Sequence, residues 1–219
     1  MDYERLLDGK RAVVTNGDEI GMSVARLFAS HGAAVAVGTK PGTQNVFNQP
    51  GVHFVPIDFT DEGSIVSFCD KIKRPLRYVE ILVNNPPSAE TLPFLQTGGT
   101  ERDAALGVYQ NGVMKITRAL LPAIYKSGGG AVLNIARGCA ASDALNRAVC
   151  AAVCALSRIN AAEGSLSGVR ANAILTDGAD LECVADAALF LCSEMASYVT
   201  GVTLKVDGGK DRRRYPKQF

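Results

Sequence analysis

The residues able to do chemistry fall into a few groups. The first is the turn Thr15-Asn16-Gly17-Asp18-Glu19-Ile20-Gly21, set between an apolar run and a helical pattern. Glycines in a strand-to-helix turn let backbone approach a phosphate, and the helix start offers bare N–H groups and a positive dipole end. Gly17 and Gly21 suit that use. Asp18 and Glu19 place carboxylates where a pyrophosphate would come, and like charges repel. An acid-capped helix start is equally sound chemistry, so the turn alone supports either reading. The six cysteines, Cys69, Cys139, Cys150, Cys154, Cys183 and Cys192, include no C-x-x-C pair. Cys150 and Cys154 share a helix face, but two thiolates without a third cysteine or a nearby histidine make a poor metal site. They are expected to pack as small apolar thiols, with no metal bound. Around His31 and His53 no Ser-His-Asp or metal constellation is visible, and both are expected to be structural.

These groups need elements to position them, and the chain supplies strand and helix in alternation. Apolar runs predict strands at Arg11–Thr15, Ala33–Val37, Val52–Ile57, Val79–Val83, Ala131–Ile135, Val169–Leu175 and Val202–Val206. Helical spacing predicts helices at Ile20–Ser30, Asp61–Ile72, Arg102–Tyr125, Asp143–Glu163 and Glu182–Cys192, with Gly32 and Gly128 to Gly130 as stops. Strands this apolar are covered on both faces. The expectation is an α/β, Rossmann-like doubly wound parallel sheet of about seven strands with helices on both faces. Residues 1–209 form one domain, and 210–219 a basic tail.

Composition excludes several classes. Of 219 residues, 47% are hydrophobic and 21% charged, and the net charge is +1, so no global field draws nucleic acid or a membrane surface. No apolar run is long enough to span a bilayer, and the charged start lacks a secretory h-region, which predicts a cytoplasmic protein.

Longer segments carry a resemblance. Tyr198-Val199-Thr200-Gly201-Val202-Thr203-Leu204-Lys205-Val206-Asp207-Gly208-Gly209, Asp186 to Ala196, Gly168 to Ile174, Thr117 to Pro122, Val83-Asn84-Asn85 and Asp58 resemble matching segments of the short-chain dehydrogenase/reductase family. The resemblance covers nearly the whole chain. It implies an NAD(P) cofactor, with Gly17, Gly21, Asp58 and Asn84 as the residues most able to touch it.

It also implies an Asn, a Ser and a Tyr-x-x-x-Lys for catalysis, and here this chain departs. The Tyr position falls on Asn146, the Lys on Cys150, the Ser on Arg137 or Ala136, and the Asn near Tyr109, with Asn111 close by. No tyrosine has a lysine four residues later. Pro86-Pro87 follow the asparagine pair, and Thr39 stands where a cofactor-selecting acid is expected. The segment before the long helix is shortened, and Thr176 to Asp180 leaves no lid over a substrate. These losses predict no catalytic residue and no cofactor bound by this chain. It would be a non-catalytic subunit beside an active homologous partner carrying NAD(P), in a hydroxyacyl-CoA-type dehydrogenase. Such pairs occur in the family, for example in the benzylsuccinate (anaerobic toluene) pathway. The partner contact would use the helices around 102–125 and 143–163, whose small apolar residues allow close approach, and the tail 210–217 would meet acyl-CoA phosphates. Two alternatives stand beside this. One is an active NAD(P)-dependent oxidoreductase with relocated groups such as Tyr109 and Arg137. The other is a stand-alone nucleotide-binding homo-oligomer.

Overall fold

The computed structural model describes residues 4–43, 50–87, 94–96, 98–137, 144–176 and 180–209. Seven strands form the sheet: β1 (Arg11–Val14), β2 (Ala34–Thr39), β3 (Val52–Pro56), β4 (Ile81–Asn84), β5 (Gly130–Arg137), β6 (Val169–Thr176) and β7 (Thr203–Lys205). All neighbours pair in parallel, in the order β3-β2-β1-β4-β5-β6-β7. β1 pairs with both β2 and β4, so the winding direction reverses between β1 and β4. Ligands of open α/β sheets lie in the crevice outside the strand ends at such a switch point.

The helices are α1 (Glu19–Ser30), α2 (Glu62–Leu76), α3 (Gly99–Leu106), α4 (Val113–Lys126), α5 (Ala144–Gly164) and α6 (Leu181–Cys192). On one sheet face Val14, Val35, Leu133, Ile135 and Ile174 pack with Phe28 of α1 and with Val184 and Ala188 of α6. On the other, Val13, Leu82 and Val132 pack with Phe68 and Ile72 of α2 and with Ile116 and Leu120 of α4. Ala136 meets Val149, Cys150 and Val153 of α5. Burial on both faces is why the central strands read as unbroken apolar runs.

Two helices differ from the sequence expectation. The helix expected at 102–125 begins at Gly99 and carries a π-helical turn, Gly107–Gly112, between α3 and α4. Gly112 sits against Phe59, where a Cβ would lie 2.9 Å from the ring, so a larger residue could not make this approach. α2 continues past Ile72 to Leu76, whose fully buried side chain rewards the extra turn. On α5, Ala151 and Ala152 are exposed, and Ile159 is 55% exposed.

Candidate functional site at the switch point

Backbone bonds bring the ends of β1, β2 and β4 together. Thr15 donates its N–H to the Val83 carbonyl at 3.0 Å, and its Oγ1 accepts from the Asn85 N–H at 2.9 Å. Gly17 donates to the Gly38 carbonyl at 2.7 Å. Gly21, buried near the start of α1, has no room for a side chain: a Cβ there would lie 1.8 Å from the Asn16 carbonyl oxygen.

On this frame sits a network of side chains from three chain segments. Asp18 is the N-cap of α1, its Oδ1 accepting from the Gly21 N–H at 3.0 Å and from Asn85 Nδ2 at 2.9 Å. Its Oδ2 accepts from Asn16 Nδ2 at 2.9 Å and pairs with Arg137 Nη2. The same Nη2 donates to Asn85 Oδ1 at 3.0 Å and to the Pro86 carbonyl at 2.9 Å. Arg137 is 14% exposed and Asp18 29%, so the pair is shielded and each charge needs the other. Two further atoms here are buried with no hydrogen-bond partner among the described residues: Arg137 Nε and Thr176 Oγ1. Arg137 and Thr176 stand at paired positions of β5 and β6, which puts both side chains on the face of α1 and α6. Beside Gly17, Asp18 and Glu19 opens a groove of about 1030 Å³ between α1 and α6, also lined by Arg26, Glu182 and Asp186.

The residues singled out in the sequence do not all converge. Gly17 and Gly21 lie at the start of α1. Asp58 lies past β3, where its Oδ1 accepts from the Thr60 hydroxyl at 2.6 Å and the Thr60 N–H at 2.8 Å. Those bonds hold its carboxyl below the usual value. Asn84 faces away from α1 and is fully buried. Its Nδ2 donates to Thr117 Oγ1 at 2.9 Å and to Asn134 Oδ1 at 2.8 Å, and Asn134 Nδ2 donates to Ser157 Oγ at 2.7 Å. Asn85 is the asparagine that reaches the phosphate turn, as the alternation of side chains along a strand requires. Arg137 rather than Ala136 faces α1, since Ala136 packs on α5. Asn146 and Cys150 are buried on α5, and Cys150 Sγ donates to the Arg137 carbonyl at 2.9 Å. Tyr109 and Asn111 lie in the π-helical turn, with side chains outside the described residues. Cys139, the segment between β5 and α5, and the tail 210–219 are likewise outside them. Among the described residues no group of three metal-ligating side chains exists, and no helix is long and apolar enough to cross a membrane.

A nicotinamide dinucleotide can be tested against this crevice. Asp58 and the glycine turn suit its adenosine end and the approach of its phosphates. The helix start does not, in the arrangement seen, because the Asp18 carboxylate already takes the Gly21 N–H. The group fits only with Asp18 displaced from α1.

Comparison with known proteins supports one family throughout. The family model described as enoyl-(acyl carrier protein) reductase matches residues 14–180 and 175–211. The D-threitol dehydrogenase of Mycolicibacterium smegmatis is 29% identical, over 95% of this chain and 95% of that protein. The galactitol 2-dehydrogenase (L-tagatose-forming) of Cereibacter sphaeroides is 30% identical, over 95% of this chain and 98% of that one. The crystal structure of a short chain dehydrogenase from Mycobacterium smegmatis superposes with a TM-score of 0.81 at 27% identity, covering 94% of this chain and 95% of that one. These matches correct the expectation of a non-catalytic subunit beside an active partner. Relatives that align along almost the whole chain are named as dehydrogenases in their own right.

Proposed function

On the premise that the chain belongs to the short-chain dehydrogenase/reductase family, as its match over residues 14–180 and 175–211 shows, we propose that it is an NAD(P)-dependent oxidoreductase of an alcohol–carbonyl pair with relocated catalytic groups. The observation that carries this reading is the shielded guanidinium of Arg137 at the carboxyl edge of the sheet, its Nε without a partner among the described residues. The cofactor, when bound, supplies or accepts a hydride. Gly17, Gly21 and Asp58 are the residues that would hold it, and Asn85 would steady the turn beneath it.

Arg137 has the chemistry to orient a substrate oxygen and stabilise negative charge developing on it. A guanidinium only donates hydrogen bonds and does not act as an acid near neutral pH, so the proton on that oxygen is exchanged with solvent. Asn146 and Cys150 supply no acid of their own, and the Cys150 thiol is committed to the Arg137 carbonyl. Glu19, Glu182 and Asp186 line the adjoining groove, a field that disfavours an anionic substrate. The names of the threitol and galactitol dehydrogenases agree with a neutral polyol or hydroxyketone. Assembly through the exposed side of α5, around Ala151, Ala152 and Ile159, completes the reading.

The test is absorbance at the reduced-nicotinamide band with NAD+ and NADP+ against a panel of four- to six-carbon polyols and their ketoses. Turnover is expected with at least one pair, and R137M should lower kcat by roughly 100-fold, the usual cost of losing one oxyanion donor. No turnover across the panel, or an R137M variant as active as the parent, would reject the proposal.

A further inference from the structure

An anion bound at a helix start with an arginine beside it is the arrangement expected of a phosphate site, yet here the anion is part of the chain. Asp18 accepts the Gly21 N–H of α1, the Asn85 amide and the Arg137 guanidinium together. Each of these donors could serve a phosphate oxygen equally well. Beside the ion pair, Thr176 Oγ1 is fully buried and, like Arg137 Nε, has no partner among the described residues. The cluster therefore keeps hydrogen-bonding capacity that its own residues leave unused.

We infer that Asp18 is an internal stand-in for the cofactor's pyrophosphate, and that a dinucleotide binds by displacing it, which frees Arg137 for the substrate oxygen. This rests on the proposed cofactor-dependent function and adds the control of that same site. While Asp18 holds the helix start, an incoming phosphate meets a carboxylate rather than bare N–H groups. When Asp18 leaves, the N–H groups and the guanidinium are released together, because one carboxylate was holding both. Glu19, the next residue, is exposed and takes no part in the ion pair, so its charge acts only at a distance.

The experiment is isothermal titration of NAD+ and of ADP-ribose into the full chain and three variants. D18N keeps the volume and, with its oxygen turned to the Gly21 N–H, the N-cap; its NH2 then faces Asn16 and Arg137 and can accept from neither. The competing charge and the Arg137 pair are removed together, and urea unfolding of each variant checks that the fold is kept. D18N should bind at least tenfold more tightly than the parent, while E19Q changes less than threefold. Adding R137M to D18N should leave the gain within threefold, because the phosphate takes the helix start while the guanidinium is left to the substrate; loss of the gain would overturn that division. Equal affinity of D18N and the parent overturns the stand-in and leaves the oxidoreductase reading intact if the parent binds and turns over. A gain in E19Q matching that in D18N also overturns it, as unspecific charge removal. If neither the parent nor D18N binds either probe, both readings fail.

Discussion

Replacing Gly21 with alanine tests whether the turn is as tight as its geometry implies. The added Cβ would lie 1.8 Å from the Asn16 carbonyl oxygen and 2.7 Å from Asn85 Nδ2. Relief requires the turn to move by more than an ångström away from α1. That motion breaks the bond from Asn85 Nδ2 to the Asn16 carbonyl, 3.0 Å long, and strains the Asp18 cap. Two hydrogen bonds at about 1 kcal/mol each and overpacking of about 1–3 kcal/mol oppose a helix-propensity gain of about 1 kcal/mol for alanine over glycine. The net expectation is a loss of about 2–4 kcal/mol. Gly63, in the first turn of α2, is the control: a Cβ there meets nothing nearer than Asp61 Oδ1 at 3.4 Å. G63A should stabilise by about 0.5–1 kcal/mol. Urea unfolding with a shared slope measures both. G21A at or above parental stability would refute the reasoning, and so would G63A falling alongside it.

Two other perturbations have clear signs. Arg170 donates Nη1 to the Leu191 carbonyl at 2.6 Å and Nη2 to the Ser193 carbonyl at 3.0 Å, tying β6 to the end of α6. R170M strands both acceptors and should cost about 2–4 kcal/mol in urea unfolding, with a loss under 1 kcal/mol counting against that role. Burial pushes the thiols of Cys69 and Cys192 up to about 11 and about 12, while Cys183 is exposed and the Asp180 carboxylate raises its thiol. Disulfide-reagent labelling at pH 8 should therefore modify Cys183 before Cys69 and Cys192, which react only once the chain unfolds. D180N removes the nearby negative charge, favours the thiolate and should speed labelling of Cys183 by several-fold. An unchanged rate would contradict the electrostatic cause.

The sheet was legible because strands buried on both faces carry uninterrupted Val, Ile and Ala runs, and because Asp18, Asp61 and Asp180 mark helix starts by their capping chemistry. Contacts between distant segments were not. Asp18 and Arg137 are 119 residues apart, and nothing local in either segment announces the other. Each was noticed separately, Asp18 as a charge set against phosphate and Arg137 as a replacement for a serine. Their neutralisation of one another is a property of the folded edge. The resemblance singles out Asn84 for the cofactor, although consecutive residues at a strand end must face opposite ways. Strand alternation alone would have assigned Asn85 to the phosphate turn. The missing Tyr-x-x-x-Lys pattern was visible and suggested an inactive chain. Chemistry relocated to a residue such as Arg137 has no spacing signature by which a sequence could reveal it.

The amides of Asn84 and Asn134 face each other at paired positions of β4 and β5, and Asn134 reaches on to Ser157 of α5. Parallel strands meet only after a long crossover has formed, so a chain can bring them together out of step. A slip of one residue would bring Leu133 or Ile135 opposite Asn84, leave Asn84 only its bond to Thr117, and turn the Asn134 amide to the other, apolar face, at several kcal/mol. Apolar strands alone forgive such a slip, because valine packs on isoleucine as readily as on leucine. The asparagine pair therefore works as proofreading: it makes misaligned sheets short-lived, and only the correct alignment lets α5 close over it.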